Sequence, residues 1–363
     1  MQSSASPEPC AKHEGAVRET AADASLCKLS ASQVGYFNDP FVHYFVKRPS
    51  RRLPIINRGY YARVAAVESL VRKFLTAGAN TNETHAKKQV VILGAGLDTM
   101  YFRLKSSEAL TTCEYFELDF PDVTIQKVST IKRQKALQEL LGLHDAKQMM
   151  EALSSDYAEL HVPGYHLLPC DLRDLETTRV KLEVAGIERT VPTLFVSECV
   201  LIYMEAKYST QLIAWAASYF ADVNFALYEQ ILPDDAFGKV MMANIKARGC
   251  DLLSIYDFPT VEAQIARFKA HSYETAQCWD MNKIYYHYLD PAERAKYASR
   301  KRSMLCAWTN ACLFVSYDRR EKLEIFDEVE EFHLLQAHYC VVVASKLASS
   351  PAAQAMTLRK AHE

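Results

Sequence analysis

The run Gly94-Ala95-Gly96-Leu97-Asp98-Thr99 follows four apolar residues, Val90-Val91-Ile92-Leu93. Glycines after a buried strand let the backbone turn tightly and approach a ligand closely. A dinucleotide-binding loop reads G-x-G-x-x-G, but here Thr99 replaces the third glycine and Asp98 stands in the turn. An acid at that position would repel a pyrophosphate at a helix N-terminus, so the loop suits a nucleoside ligand without phosphates. Asp119 ends the next apolar run, Tyr115-Phe116-Glu117-Leu118. It lies about twenty residues past the glycines, where a carboxylate accepts hydrogen bonds from ribose hydroxyls. Asp171 and Glu198 close two further runs, Tyr165 to Leu168 and Thr193 to Val196. Ligands of an open parallel sheet bind outside the carboxyl ends of its strands. A glycine turn and three acids would therefore meet in one place. The plainer alternative is a glycine turn that only joins strand to helix, with three solvated acids beside it.

These residues need strands to carry them and helices to space them. Apolar runs at 90–93, 115–119, 165–168, 193–196, 224–228 and 338–344 read as strands, with helical patterns such as Gln211 to Phe220 between them. That alternation predicts an α/β fold with a doubly wound, mostly parallel sheet. Ahead of it, Val64, Val67, Leu70, Val71, Phe74 and Leu75 fall at helical spacing, with Gly78 as a stop. Residues 23–346 are expected to form one domain, with 23–80 as an N-terminal helical cap and a polar linker at 79–88. Residues 1–22 read as a disordered tail and 347–363 as a flexible one. The stretches 126–160 and 232–320 are longer than simple crossovers and read as insertions that roof the site, the second as a lid. Trp279, Tyr285, Tyr286 and Tyr288 belong either to that lid or, more simply, to the core. Residues 318–335 place Leu323, Phe326, Val329, Phe332 and Leu335 on one helical face.

Composition narrows the function. The chain has 363 residues, 49% hydrophobic and 24% charged, which is enough to bury a large core. Lys plus Arg number 42 against 44 Asp plus Glu, a net charge of −2, so no global attraction for nucleic acid or anionic membranes is expected. Basic clusters at Lys47 to Arg52 and at Arg300-Lys301-Arg302 read as solvated faces. Ten cysteines occur with no C-x-x-C pair and no zinc-finger spacing, which favours buried free thiols in a reducing compartment. The first residues carry no apolar leader and no run is long enough for a membrane helix, so a cytoplasmic location is expected.

S-adenosylmethionine is a phosphate-free adenosine ligand of the kind the loop suits, and here a resemblance becomes specific. The chain resembles the leucine carboxyl methyltransferases, which methylate the C-terminal leucine of the protein phosphatase 2A catalytic subunit. The likeness is carried in order by Asp23-Ala24-Ser25-Leu26-Cys27-Lys28, Asp39-Pro40-Phe41, Ile56-Asn57-Arg58-Gly59-Tyr60-Tyr61-Ala62-Arg63, the Gly94 loop, Asp171-Leu172-Arg173-Asp174-Leu175 and Glu198-Cys199-Val200-Leu201-Ile202-Tyr203-Met204. It implies a class I S-adenosylmethionine-dependent methyltransferase of Rossmann-like fold and a protein partner, the phosphatase catalytic subunit, met by a monomer. Position by position, it implies that Lys28 and Arg63 hold the methionine carboxylate or line the acceptor pocket. Gly94 packs against the cofactor, Asp119 binds the ribose, Asp171 and Leu172 frame the adenine, and Glu198 lies beside the methionine ammonium. Tyr203 is a candidate wall of the acceptor pocket.

Methylating a carboxylate that is already ionised at neutral pH calls for no general base and no metal. No Ser/His/Asp arrangement stands out, and the eleven histidines are scattered. Three alternatives stay open: a carboxyl methyltransferase acting on a modified tRNA base or a small molecule, a non-catalytic cofactor-binding module, and a nicotinamide dehydrogenase. The missing third glycine and Asp98 speak against the last.

Overall fold

The structure, a computed structural model, describes residues 7–78, 87–289 and 323–360. The Arg300-Lys301-Arg302 cluster, most of the 79–88 linker and residues 290–320 of the expected lid lie outside the described residues.

Eight strands form one sheet: β1 (Lys88–Leu93), β2 (Cys113–Asp119), β3 (Leu160–Val162), β4 (Tyr165–Pro169), β5 (Thr193–Glu198), β6 (Val223–Gln230), β7 (Thr275–Asp280) and β8 (Tyr339–Ser345). Their spatial order is β3-β4-β2-β1-β5-β6-β8-β7. Neighbours from β4 to β6 are parallel, whereas β8 runs antiparallel to both β6 and β7. This is a doubly wound, mostly parallel α/β sheet, with β3 added antiparallel at one edge. The chain reverses its direction of winding between β1 and β5, the place where such sheets open a crevice.

The apolar runs are continuous because both faces of the sheet are covered. Val90, Ile92, Leu194 and Val196 face a core shared with Leu70, Phe74 and Phe102. Val91, Leu93, Phe116 and Phe195 face the other, shared with Leu182, Leu212 and Phe268. The first core is closed by helix α2 (Pro54–Thr76) and the short helix α3 (Met100–Ser106); the second by helices Leu175–Val184, Ala206–Tyr219 and Val261–Lys269. Pro54 opens α2 at its first turn. Its missing N–H costs nothing in a first turn.

Several expectations are corrected. The stretch 1–22 is not a tail throughout, because helix α1 runs from Pro7 to Val34. A mix of Ala, Glu and Arg resembles disorder by composition, yet these are strong helix formers. Here Glu14 pairs with Arg18 one turn on, at 3.4 Å. The stretch 347–363 holds a helix, Pro351–Met356, whose Ser350 cap accepts from the Ala353 amide; Ala352, Ala353, Met356 and Leu358 are buried. Residues 232–289 are not simply a lid, since β7 belongs to the sheet. Tyr285 and Tyr288 are core residues, and Tyr285 stands edge-on to Phe332 at 5.3 Å. Of the helical face expected over 318–335, residues 318–322 lie outside the described residues, and in the rest the helix is Val329–Ala337, with Phe332 fully buried.

Beneath the glycine loop, Lys127 Nζ lies 2.5 Å from Glu117 Oε2, with side chains 0% and 2% exposed. The ammonium also donates to the Asp98 carbonyl at 2.8 Å, and the Tyr165 hydroxyl donates to Glu117 at 2.7 Å. Burial pushes the Glu117 carboxyl above its ordinary value, and Lys127 and Tyr165 oppose that. Lys127→Met leaves the carboxylate uncompensated. Denaturant unfolding at neutral pH is expected to show a loss of about 3–5 kcal/mol. The loss should shrink as pH falls and Glu117 takes up a proton.

Candidate functional site

A cleft of about 1400 Å³ opens at the carboxyl ends of the strands, and Lys28, Arg63, Gly94, Asp119, Asp171, Leu172, Glu198 and Tyr203 all line it. Every candidate site residue read from the sequence is thus brought to one cavity.

The floor is the turn after β1. Gly94 and Gly96 adopt φ of +63° and +55°, the left-handed region that favours glycine. A Cβ on Gly94 would stand 2.6 Å from Val200 Cγ2. Val200 arrives there because Cys199, at φ +56°, bends the chain sharply at the tip of β5, while its amide stays bonded to the Tyr228 carbonyl at 2.7 Å. The absent third glycine has a positive explanation. Thr99 is fully buried and its hydroxyl donates to Asp39 at 2.5 Å, while Arg103 binds both Thr99 and Asp39. A glycine would delete that node. Asp98 is neutralised too: Lys28 donates to it directly, and the Met100 amide donates at 2.6 Å. Burial disfavours its charge, but Lys28 and Arg103 hold the carboxyl well below the usual range.

The three acids differ in surroundings. Asp119 accepts from the Gly96 amide at 2.6 Å and the Phe120 amide at 2.7 Å, tying the β2 tip to the glycine turn. Burial pushes its carboxyl up to about 6 against the pull of those amides. Asp171 is half-exposed and is gripped by Arg173, which also reaches Glu14 of α1 at 2.6 Å. Burial raises Asp171, but Arg173 more than reverses this and leaves it below its ordinary value. Glu198 accepts from Arg63 Nε at 2.6 Å and lies 3.6 Å from Lys28 Nζ. Burial works most strongly against the Arg63 charge, but Glu198 together with Cys199, Tyr60 and Tyr228 reverses it and the guanidinium stays firmly protonated.

Sequence reasoning missed much of the enclosure. The roof is α1: Ala21 would meet a Cβ on Gly96 at 3.2 Å, and Ala16 one on Gly249 at 3.2 Å. Arg18 reaches Asp122 at 3.2 Å and lies over the Phe120 ring at 4.6 Å. From 126–160 only Gln126 lines the cavity, and from 232–289 only Ile245, Arg248 and Cys250. Also missed was an aromatic wall. Arg63 sits 5.0 Å from the Tyr228 ring and 5.6 Å from the Tyr60 ring, and Tyr339 stacks on Tyr228 at 5.3 Å. Tyr60 was visible in the segment that carries the family likeness. Nothing in the spacing joins it to Tyr228 or Tyr339.

Among the described residues no three His, Cys, Asp or Glu converge as metal ligands, and no helix is long and apolar enough to cross a membrane. The seven described cysteines with placed side chains are all free thiols.

A family model described as leucine carboxyl methyltransferase matches residues 16–217. A leucine carboxyl methyltransferase 1 homolog of Arabidopsis thaliana is 40% identical over 332 residues, covering 92% of this chain and 90% of its own. Leucine carboxyl methyltransferase 1 of Rattus norvegicus is 34% identical over 339 residues, covering 93% and 92%. The tRNA wybutosine-synthesizing protein 4 of Homo sapiens is 36% identical over 340 residues, covering 94% of this chain but 45% of its own length. With a glycine turn and a run of acids at the tips of a doubly wound sheet, the chain belongs to the leucine carboxyl methyltransferase family and is an S-adenosylmethionine-dependent carboxyl methyltransferase.

Proposed function

We propose that this enzyme forms a methyl ester on the C-terminal leucine carboxylate of the protein phosphatase 2A catalytic subunit, acting as a cytoplasmic monomer. The observation that carries the reading is the buried meeting of Lys28, Arg63, Asp98 and Glu198 at the tips of β1 and β5.

That cluster has as many cations as carboxylates. A zwitterionic amino-acid group can enter it by exchanging partners, with no net charge carried out of water. In this reading Lys28 and Arg63 receive the methionine carboxylate and Glu198 the ammonium. Asp119 takes the ribose hydroxyls on the lone pairs its amide donors leave open. Asp171 and Leu172 frame the adenine, and Gly94 lets the backbone approach. The donor set of the cleft fits S-adenosylmethionine, which supplies an electrophilic methyl group when bound.

The chain's own share of the work is positioning. An α-carboxylate with a free pKa of about 3.3–3.7 is ionised at neutral pH and needs no base. Rate enhancement then comes from fixing its approach and stripping its water. Arg63, between the Tyr60 and Tyr228 rings, supplies a cation at that side of the cleft. Tyr203 offers an apolar wall. A tRNA acceptor is the second reading, motivated by the human relative. The net charge of −2 gives it no phosphate-binding field.

Three outcomes are expected. Incubated with methyl-labelled cofactor and the phosphatase catalytic subunit, the enzyme transfers label that mild base releases as methanol; label stable to base, or none, removes the reading. Tyr203→Phe leaves cofactor affinity unchanged in titration calorimetry, and a large loss would move Tyr203 to the cofactor side. Asp119 is effective as an acceptor when ionised. Its carboxyl, ordinarily near 3.8, stands at about 6. Cofactor affinity should therefore be nearly full from about pH 7, about halved at pH 6 and about tenfold weaker at pH 5, and Asp119→Asn should flatten that profile. The same upward shift makes this residue's contribution to stability fall as pH rises from 3.8 to 6, because the folded chain keeps the proton longer than the unfolded one.

A further inference from the structure

The basic cluster Lys47 to Arg52 takes no part in the chemistry above, yet it is not an ordinary solvated face. It falls between the short 3-10 helix Val42–Phe45 and α2, in a segment without regular structure. Three of its four cations, Lys47, Arg48 and Arg52, line the cleft; Arg51 does not, and pairs with Glu324 at 2.9 Å. Both ends of the segment are fixed. Phe45 is buried beside Phe102, with ring centroids 6.4 Å apart, and the Arg52 amide donates to the Ser30 hydroxyl of α1 at 2.8 Å.

Charge at this rim is unbalanced. Asp23 of α1 serves both Arg52, at 3.2 Å, and Arg248, at 3.8 Å. The other α1 acid at that end is Glu19, beside Cys250 and Arg248. Lys47 and Arg48 are exposed, and among the described residues neither has an acidic partner. Four cations thus meet two carboxylates.

A track joins the rim to the ion cluster. Ile56, Tyr60 and Arg63 recur at helical spacing on α2, and all three line the cleft. Cys27 of α1 lies against both Arg52 and Tyr60. Helix rise puts Pro54 about 14 Å from Arg63 along the axis, and Arg52 lies just beyond Pro54. A peptide extended along that track advances about 3.3 Å per residue. The rim is therefore about four to five residues behind a terminal carboxylate seated by Arg63.

We infer that the rim formed by Lys47, Arg48 and Arg52 docks acidic side chains of the acceptor protein, carried about four to five residues before its C-terminal leucine. This rests on the leucine-terminus reading and deepens it: the terminus is selected at the centre of the cleft, and the charge of the tail at its mouth. Cations on a segment pinned at both ends steer an acidic tail to the opening and fix its register. A nucleic acid would instead need cations spread along successive phosphates, whereas this is one group at one point, with the acids of α1 beside it.

The test uses the full-length enzyme, the phosphatase catalytic subunit and the double variant Lys47→Ala/Arg48→Ala. Cofactor affinity, kcat and melting temperature are expected to stay as in the wild type. The acceptor KM should rise roughly fivefold at low salt, the worth of two exposed ion pairs. Added salt should raise the wild-type KM and move that of the variant little, because exposed pairs are screened. An unchanged KM overturns the inference, as does a salt dependence that the variant retains, or a loss of cofactor affinity and melting temperature, which marks a structural role. A second measurement varies the acceptor. Catalytic subunits with Glu or with Gln at the fourth and fifth places from the terminus should differ roughly fivefold in KM for the wild type and not for the double variant; equal use by the wild type overturns the inference. So does transfer RNA that competes with the acceptor on the wild type but not on the variant, which assigns the rim to phosphates. If the wild type places no base-labile methyl on the phosphatase, the leucine-terminus reading falls and this inference with it. If wild type and variant esterify it with the same KM, only this inference falls.

Discussion

Two cations and two carboxylates share the centre of the cleft, and none of the four is stable there alone. Their side chains are between 6% and 15% exposed. A lone ion so far from water is costly, and removing one partner leaves the other stranded. Lys28 comes from α1, Arg63 from α2, Asp98 from the turn after β1 and Glu198 from the tip of β5. Neutralising the set therefore brings two N-terminal helices onto the point where the sheet changes its direction of winding. The same contacts that seat the helices leave a balanced set of charges for a zwitterion to enter.

Around that point the cleft has two chemical halves. Toward β2 and β4 it is acidic, with Asp119 and Asp171 at the strand tips. Toward β6 and β8 it is lined by Tyr60, Tyr228 and Tyr339. Arg63 stands at the boundary, ion-paired on one side and facing aromatic rings on the other. In the proposed reading, a donor with polar hydroxyls takes the first half and an acceptor with an apolar side chain the second.

The central strands were legible because a strand covered on both faces must be apolar throughout, as in Val90 to Leu93 and Thr193 to Val196. The edge strand β7, Thr-Ala-Gln-Cys-Trp-Asp, is only partly buried and carries polar residues, so it left no such trace. The glycine turn and the three acids were legible because their geometry is local: strand, turn, tip. The partners of those acids were not. Asp98 reads as a repulsive acid until Lys28 is seen against it, and Arg173 reads as a surface charge until Glu14 is seen across the cleft. Long-range pairing has no sequence period. The roof failed for a related reason, because the composition of α1 suggests a tail and only contact with the sheet gives the helix its place.

The aromatic wall of the cleft is assembled from residues far apart in the order of synthesis. Tyr60 and Tyr228 are both made well before Tyr339, which lies on β8. β6 has no neighbour on its outer side until β8 slots in between it and β7. A chain still on the ribosome, with its last segment held in the exit tunnel, can already possess the cofactor half of the cleft but not the other. Completion of that half of the cleft thus waits for β8, the last strand of the sheet in chain order.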